Sequence, residues 1–169
     1  GAILILLFVG ALAGTWLLSG IIPAMIYYGL KIIHPAVFLP ACIVICAIIS
    51  LATGSSWTTS ATVGIALIGI GRAMDLPVGM VAGAVISGAY FGDKLSPLSD
   101  TTNLAPAMAG GSLFTHIRYM THTTLPSITI TFFVFVILGL TQTSNGNVDT
   151  LSLITAITDK FNISLWLFD

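Results

Sequence analysis

The sequence predicts an all-α, polytopic helical membrane protein with about five or six membrane segments, and three observations carry that prediction. Hydrophobic residues make up 56% of the 169 and charged ones only 7%, against about 25% charge in a soluble domain. Mean hydropathy is +1.06. The charges are also clustered: none precedes Lys31, none lies between Lys31 and Arg72, and none between Arg118 and Asp149. Such gaps accommodate apolar helices of about 20 residues, the length that crosses a bilayer. Disorder needs the opposite composition. A net charge of −1, with five basic residues against six aspartates and no glutamate, offers no basic surface for nucleic acid.

The first stretch, 1–33, is apolar but interrupted at Gly14-Thr15 and Ser19-Gly20, with Pro23 following. It reads as one tilted helix or two helical pieces. It begins without Met and lacks the positive start of a signal peptide, so it is expected to be a span already under way. The end at Asp169 is equally abrupt. Lys31, His34 and Pro35 make a polar turn, and the next span runs over 36–51, with Pro40 in its first turns, where a missing N–H costs least. Cys42 and Cys46, four apart in this run, share a helix face and read as small core residues.

The span ends at Thr53-Gly54. In the eight residues 55–62, Ser55-Ser-Trp-Thr-Thr-Ser-Ala-Thr62, six carry hydroxyls. An apolar segment, 61–70, closes at Gly71-Arg72, and Asp75-Leu-Pro77 is a turn. The following helix, 77–92, has sixteen residues and rises about 24 Å, which leaves Asp93 at depth. Pro97, Pro106 and Gly110-Gly111 then forbid a continuous helix over 92–111. Ser112 to His122 reads as an amphipathic surface helix with His116 and Arg118, 125–140 as a strongly apolar span, 141–149 as a polar turn, and 150–169 as a further element. Lys31, Arg72 and Arg118 share a cytoplasmic face if 92–111 enters the membrane and returns. The charge arithmetic therefore favours a re-entrant hairpin there.

Polar breaks at membrane depth are tolerated only where protein or a water-filled cavity meets them, and broken helices coordinate ions in secondary transporters. Hydroxyls, the Asn103 side-chain carbonyl and Asp carboxylates are hard oxygen donors suited to Na⁺. A carboxylate adds a group that holds either a proton or a metal ion. An intramembrane charge costs at least about 2.5–3.5 kcal/mol and is a functional candidate. Asp93 and Asp100 are therefore the expected exchange carboxylates and transient Na⁺ ligands. Ser96, Ser99, Thr101, Thr102 and Asn103, with Ser55, Ser56, Thr58 and Thr59, are expected supporting ligands, and Lys94 a counter-charge. Structural alternatives compete: Asp93 paired with Lys94, Asp100 capping a helix over 101–103, and hydroxyls bonded back to their own helices.

The run 52–64, Ala-Thr-Gly-Ser-Ser-Trp-Thr-Thr-Ser-Ala-Thr-Val-Gly, and the run 86–106, which contains Gly-Asp-Lys-Leu-Ser-Pro-Leu-Ser-Asp-Thr-Thr over 92–102, closely resemble the NhaC-type Na⁺/H⁺ antiporters. Gly14-Thr-Trp and the stretch 22–29 look similar too. The resemblance implies a multi-pass antiporter of a bacterial or archaeal cytoplasmic membrane, exchanging Na⁺ or Li⁺ for H⁺. The alternative is a Na⁺-coupled exchanger of organic acids such as malate and lactate. Family members are more than twice as long, so residues 1–169 are expected to be a partial transport domain of a larger inverted-repeat transporter. An enzyme is not expected: the two aspartates share one segment and no His lies nearby in sequence. No cofactor is expected beyond the transported Na⁺ and H⁺. The implied partners are the bilayer, the cations, a small carboxylate in the alternative reading, the rest of the transporter chain and a second copy.

Overall fold

A computed structural model describes residues 35–141 together with scattered positions between 4 and 20. The expectations for most of 1–34, Lys31 included, and for 142–169 lie outside the described residues. Every regular element among the described residues is helical.

Helix α1 spans Pro35–Thr53 and carries Pro40 inside. After Gly54, one continuous run comprises α2 (Ser56–Thr59), a π turn (Ser60–Gly64) and α3 (Ile65–Ala73). A turn follows in which Asp75 adopts φ 57°, a left-handed conformation that Asp tolerates. Helix α4 is Val78–Leu95, α5 is Asp100–Ala109 and α6 is Leu113–Thr141. The interruptions expected near 54 and within 92–111 are both present, the second between Leu95 and Asp100, whereas Pro106, expected to break the chain there, lies inside α5.

Packing centres on α1 and α4. Val81, Ala84, Val85, Gly88, Ala89 and Gly92 are buried, and their spacing of three and four draws one stripe along α4. That stripe meets Phe38, Leu39, Cys42, Ile43 and Cys46, all at most 2% exposed. Both cysteines are free thiols in this core. Small residues let membrane helices approach until backbones touch, where van der Waals packing replaces the missing hydrophobic drive. A methyl group at Gly88 would strike the Ile43 carbonyl, and one at Gly92 would lie 2.8 Å from Ser50 Cβ.

These contacts also give direction. As α4 advances from Gly88 to Gly92, its neighbours on α1 advance from Ile43 to Leu51, so the two helices run parallel. Gly64 faces Val85 and Gly71 faces Val81, so the run between them is antiparallel to both. Gly83 meets the Phe135 ring on α6, while Lys94 and Thr124 line one cavity, so α6 is antiparallel to α4. Arg72 and Arg118 consequently sit toward opposite ends of the bundle. The shared face inferred from charge, which motivated the re-entrant reading, is not met at Arg118, although the interruption itself is.

A second difference lies in α6. The expected surface helix and apolar span form one helix of 29 residues with Pro126 inside. No glycine interrupts it before Gly139. Hydroxyls of Thr121, Thr129 and Thr131 bond to the carbonyls four residues back, a local partnering that hides hydroxyls within a helix. Among the described residues it is the one helix long and apolar enough to cross a membrane unaided.

Gly88→Ala or Gly92→Ala in the full-length protein is expected to cost about 1–3 kcal/mol by overpacking. Gly79→Ala, where a methyl group meets nothing within 4 Å, should be neutral or slightly stabilising. Thermal unfolding of the purified variants checks the contrast.

Candidate functional site

The two chain breaks touch. Gly54 has φ +71°, and a Cβ there would sit 2.6 Å from the Leu98 carbonyl carbon. Only glycine combines that conformation with that proximity. The Gly54 amide donates to Ser50 O at 2.8 Å, closing α1. From the other break, buried Ser96 donates its hydroxyl to Leu51 O at 2.7 Å and accepts from the Leu98 amide at 3.2 Å. Ser50, which the sequence reading passed over, is fully buried and donates to Ala89 O.

Most of the hydroxyls expected to be ion ligands finish helix ends. Ser55 caps α2, accepting from the Thr58 amide at 3.2 Å and the Thr58 hydroxyl at 3.1 Å. Thr59 donates to Ser55 O at 2.9 Å. Ser99 caps α5, with the Thr102 amide 3.5 Å away and the Thr101 hydroxyl at 2.9 Å. Thr102 points back to the carbonyls of Asp93 and Lys94, at 3.2 Å each, partnering the C-terminal end of α4. The Asn103 amide donates to Pro97 O and Ser99 O at 2.7 Å.

Two aspartates that looked alike in sequence are placed differently. Asp93 lies in the last turn of α4 and is half-buried; its Oδ2 accepts the hydroxyl of buried Ser56 at 2.8 Å. Its other oxygen, Oδ1, is buried with no hydrogen-bond partner. Asp100 is exposed, opens α5 and accepts its neighbour's amide, Thr101 N, at 2.8 Å. No hydrogen bond joins the two carboxylates. Of the expected ligands, then, the structure brings Ser56 to the Asp93 carboxylate and Thr102 to its backbone. Ser55, Thr58, Thr59, Ser96, Ser99, Thr101 and Asn103 are spent on the breaks around it.

Ser56 also walls a cavity of about 270 Å³ with Trp57, Ser60, Ile86 and Tyr90, which leads to the hydroxyl that holds Asp93. Lys94 is exposed and lines a second cavity, between α4 and α6, which shares Tyr90 with the first. Among the described residues no ion pair supports the counter-charge role expected of it. A carboxylate with one oxygen held and the other buried and bare can accept either a proton or a small cation. An unsatisfied buried acceptor of this kind costs about 1–3 kcal/mol or more.

Gly54→Ala is expected to destabilise the full-length protein by more than about 2 kcal/mol, since it adds left-handed strain to a clash with backbone. Thermal unfolding measures the loss, and Gly111→Ala, where a methyl group finds only ordinary contacts, is the control.

The chain was also compared with known proteins by sequence. A model described as the Na⁺/H⁺ antiporter family matches residues 88–169. A malate-2H⁺/Na⁺-lactate antiporter of Bacillus subtilis is 45% identical over 168 residues, 98% of this chain and 36% of the relative. The Na⁺/H⁺ antiporter NhaC of Alkalihalophilus pseudofirmus is 45% identical over 163 residues, 96% of this chain and 35% of the relative. An arginine/ornithine antiporter of Halobacterium salinarum is 42% identical over 146 residues, covering 86% and 30%. No solved structure matches. The chain spans about a third of the length of the curated relatives it matches, and it belongs to the Na⁺/H⁺ antiporter family.

Proposed function

We propose that the transporter to which these residues contribute exchanges Na⁺ for H⁺ across the cytoplasmic membrane, with Asp93 as the carboxylate at which the two compete. The observation that carries the reading is Asp93 Oδ1, buried and without a partner. In the proton-loaded state that oxygen holds H⁺ and the site is neutral. In the Na⁺-loaded state it faces the metal ion, with Ser56 still donating to Oδ2 and its remaining lone pair available as a neutral ligand. One carboxylate cannot hold both at once, so release of one cargo on either side is coupled to capture of the other. Alternating access of that kind normally sets one structural repeat against another around a fixed site, and the remainder of the chain is taken to supply the second body.

Asp100 takes the smaller part: exposed and engaged with the amide of Thr101, it adds negative potential at the break without closing on the ion. Na⁺ and H⁺ are cargo in this scheme, and no resident cofactor enters it. A second reading, Na⁺-coupled organic-acid exchange, is supported by the name of the Bacillus subtilis malate/lactate relative and by Lys94 beside the site.

The test uses the full-length transporter in sealed vesicles, following lumenal pH after Na⁺ is added. Asp93→Asn is expected to abolish proton movement, and Asp100→Asn to keep it with at most a modest loss of apparent Na⁺ affinity. Intact exchange in Asp93→Asn would overturn the assignment. Ser56→Ala removes the donor to the charged carboxylate, so half-saturating Na⁺ should rise about tenfold.

A further inference from the structure

We propose that α5 is a lid over the end of α4 that carries Asp93, and that the buried hydroxyl of Thr102 is its latch. The lid draws its purpose from the reading of Asp93 as the exchange carboxylate, but its geometry stands on other residues. Of the ten residues of α5, only Thr102 and Pro106 are buried. Among the described residues, the hydrogen bonds that tie α5 to another helix all come from one group: the Thr102 hydroxyl, 3.2 Å from both Asp93 O and Lys94 O. Other polar side chains of α5 bond within their own segment, Asn103 to Pro97 O and Ser99 O, and Asp100 to the Thr101 amide.

The two flanks of α5 are unequal. The segment before it is fixed, because Ser96 is bonded to Leu51 O and Leu98 is packed on Gly54. Behind it, Gly110 turns through φ +68° with nothing within 4 Å of where a Cβ would stand. Pro106 adds a weak point: it has no amide to bond the carbonyl four residues back, and that carbonyl belongs to Thr102. The turn that holds the latch is therefore also the one that proline leaves unbonded. An element with so little buried apolar surface opens locally at small cost. Closed, α5 partners the last carbonyls of α4, and Asp93 Oδ1 is shut from solvent. Open, those carbonyls and the carboxylate beside them meet water, and the cation site has an entrance. Opening breaks one shared hydroxyl contact and leaves the Ser56 bond to Asp93 in place, so the site is uncovered without being taken apart.

The experiment is carboxyl labelling of the purified full-length transporter in Na⁺-free buffer, with a water-soluble carbodiimide and glycinamide, read residue by residue by mass spectrometry. Exposed Asp100 serves as the internal reference. In the wild type Asp93 should label far more slowly than Asp100. Thr102→Val keeps the side-chain shape and removes the hydroxyl, so Asp93 should label about tenfold faster with Asp100 unchanged. Thr102→Ser keeps the hydroxyl and should label as the wild type does. Cys42, fully buried in the core, should stay unreactive to a maleimide in all three proteins, which shows that Thr102→Val loosens α5 rather than the bundle. Asp93 labelling that is equal in Thr102→Val and wild type, or accelerated equally by Thr102→Ser, would overturn the lid. So would a Cys42 thiol that becomes reactive in step with Asp93. The measurement needs no transport: if Asp93→Asn still moves protons in exchange for Na⁺, the exchange assignment fails while the labelling contrast stands.

Discussion

Peptide groups at a chain break inside hydrocarbon have no water to turn to, and the arrangement of these helices follows from how that requirement is met. Neither break is satisfied alone. The end of α1 gives its Leu51 carbonyl to Ser96 from the other break, and Gly54 closes against Leu98 with no room for a side chain. Thr102, beyond the second break, returns to the carbonyls at the end of α4. For the two interruptions to meet, α1 and α4 must run parallel and end level, and the small stripe on α4 allows that approach. Core packing therefore sets the position of the breaks, and the breaks partner each other.

Against that background the exceptions stand out. Hydroxyl after hydroxyl near the breaks is committed to a carbonyl, an amide or another hydroxyl, while Asp93 keeps one buried oxygen bare. A fold that satisfies its backbone so fully has little structural use for uncommitted charge. Asp93 Oδ1 is the exception to that pattern.

Much of this was legible in the sequence for simple physical reasons. Charge is expensive in hydrocarbon, so gaps between charges marked the apolar helices, and Asp93 stood out between them as a candidate. Glycine and proline cannot continue a helix cheaply, so both interruptions could be located. Cys42 and Cys46 read as core because their spacing shares a face. What composition could not convey was how each hydroxyl is used. Ser55, Ser99 and Thr102 look as able to hold Na⁺ as Ser56 does until their caps are seen. Nor could it separate Asp93 from Asp100, whose difference is burial. The run 112–140 divides in composition into a polar and an apolar half, yet it forms one helix that passes through Pro126. The side on which Arg118 lies depended on a helix direction that only packing reveals.

The π turn at Ser60–Gly64 has the arithmetic of a one-residue insertion into an α-helix. Everything before it is rotated by about 100° relative to an uninterrupted helix, and that offset brings Ser56 round to Asp93. A deletion of a single residue between 60 and 64 would leave an apolar, well-formed helix while turning the Ser56 hydroxyl away from the carboxylate. Among homologous chains, length in this short window is therefore a marker for the Ser56–Asp93 contact that residue identity alone would miss.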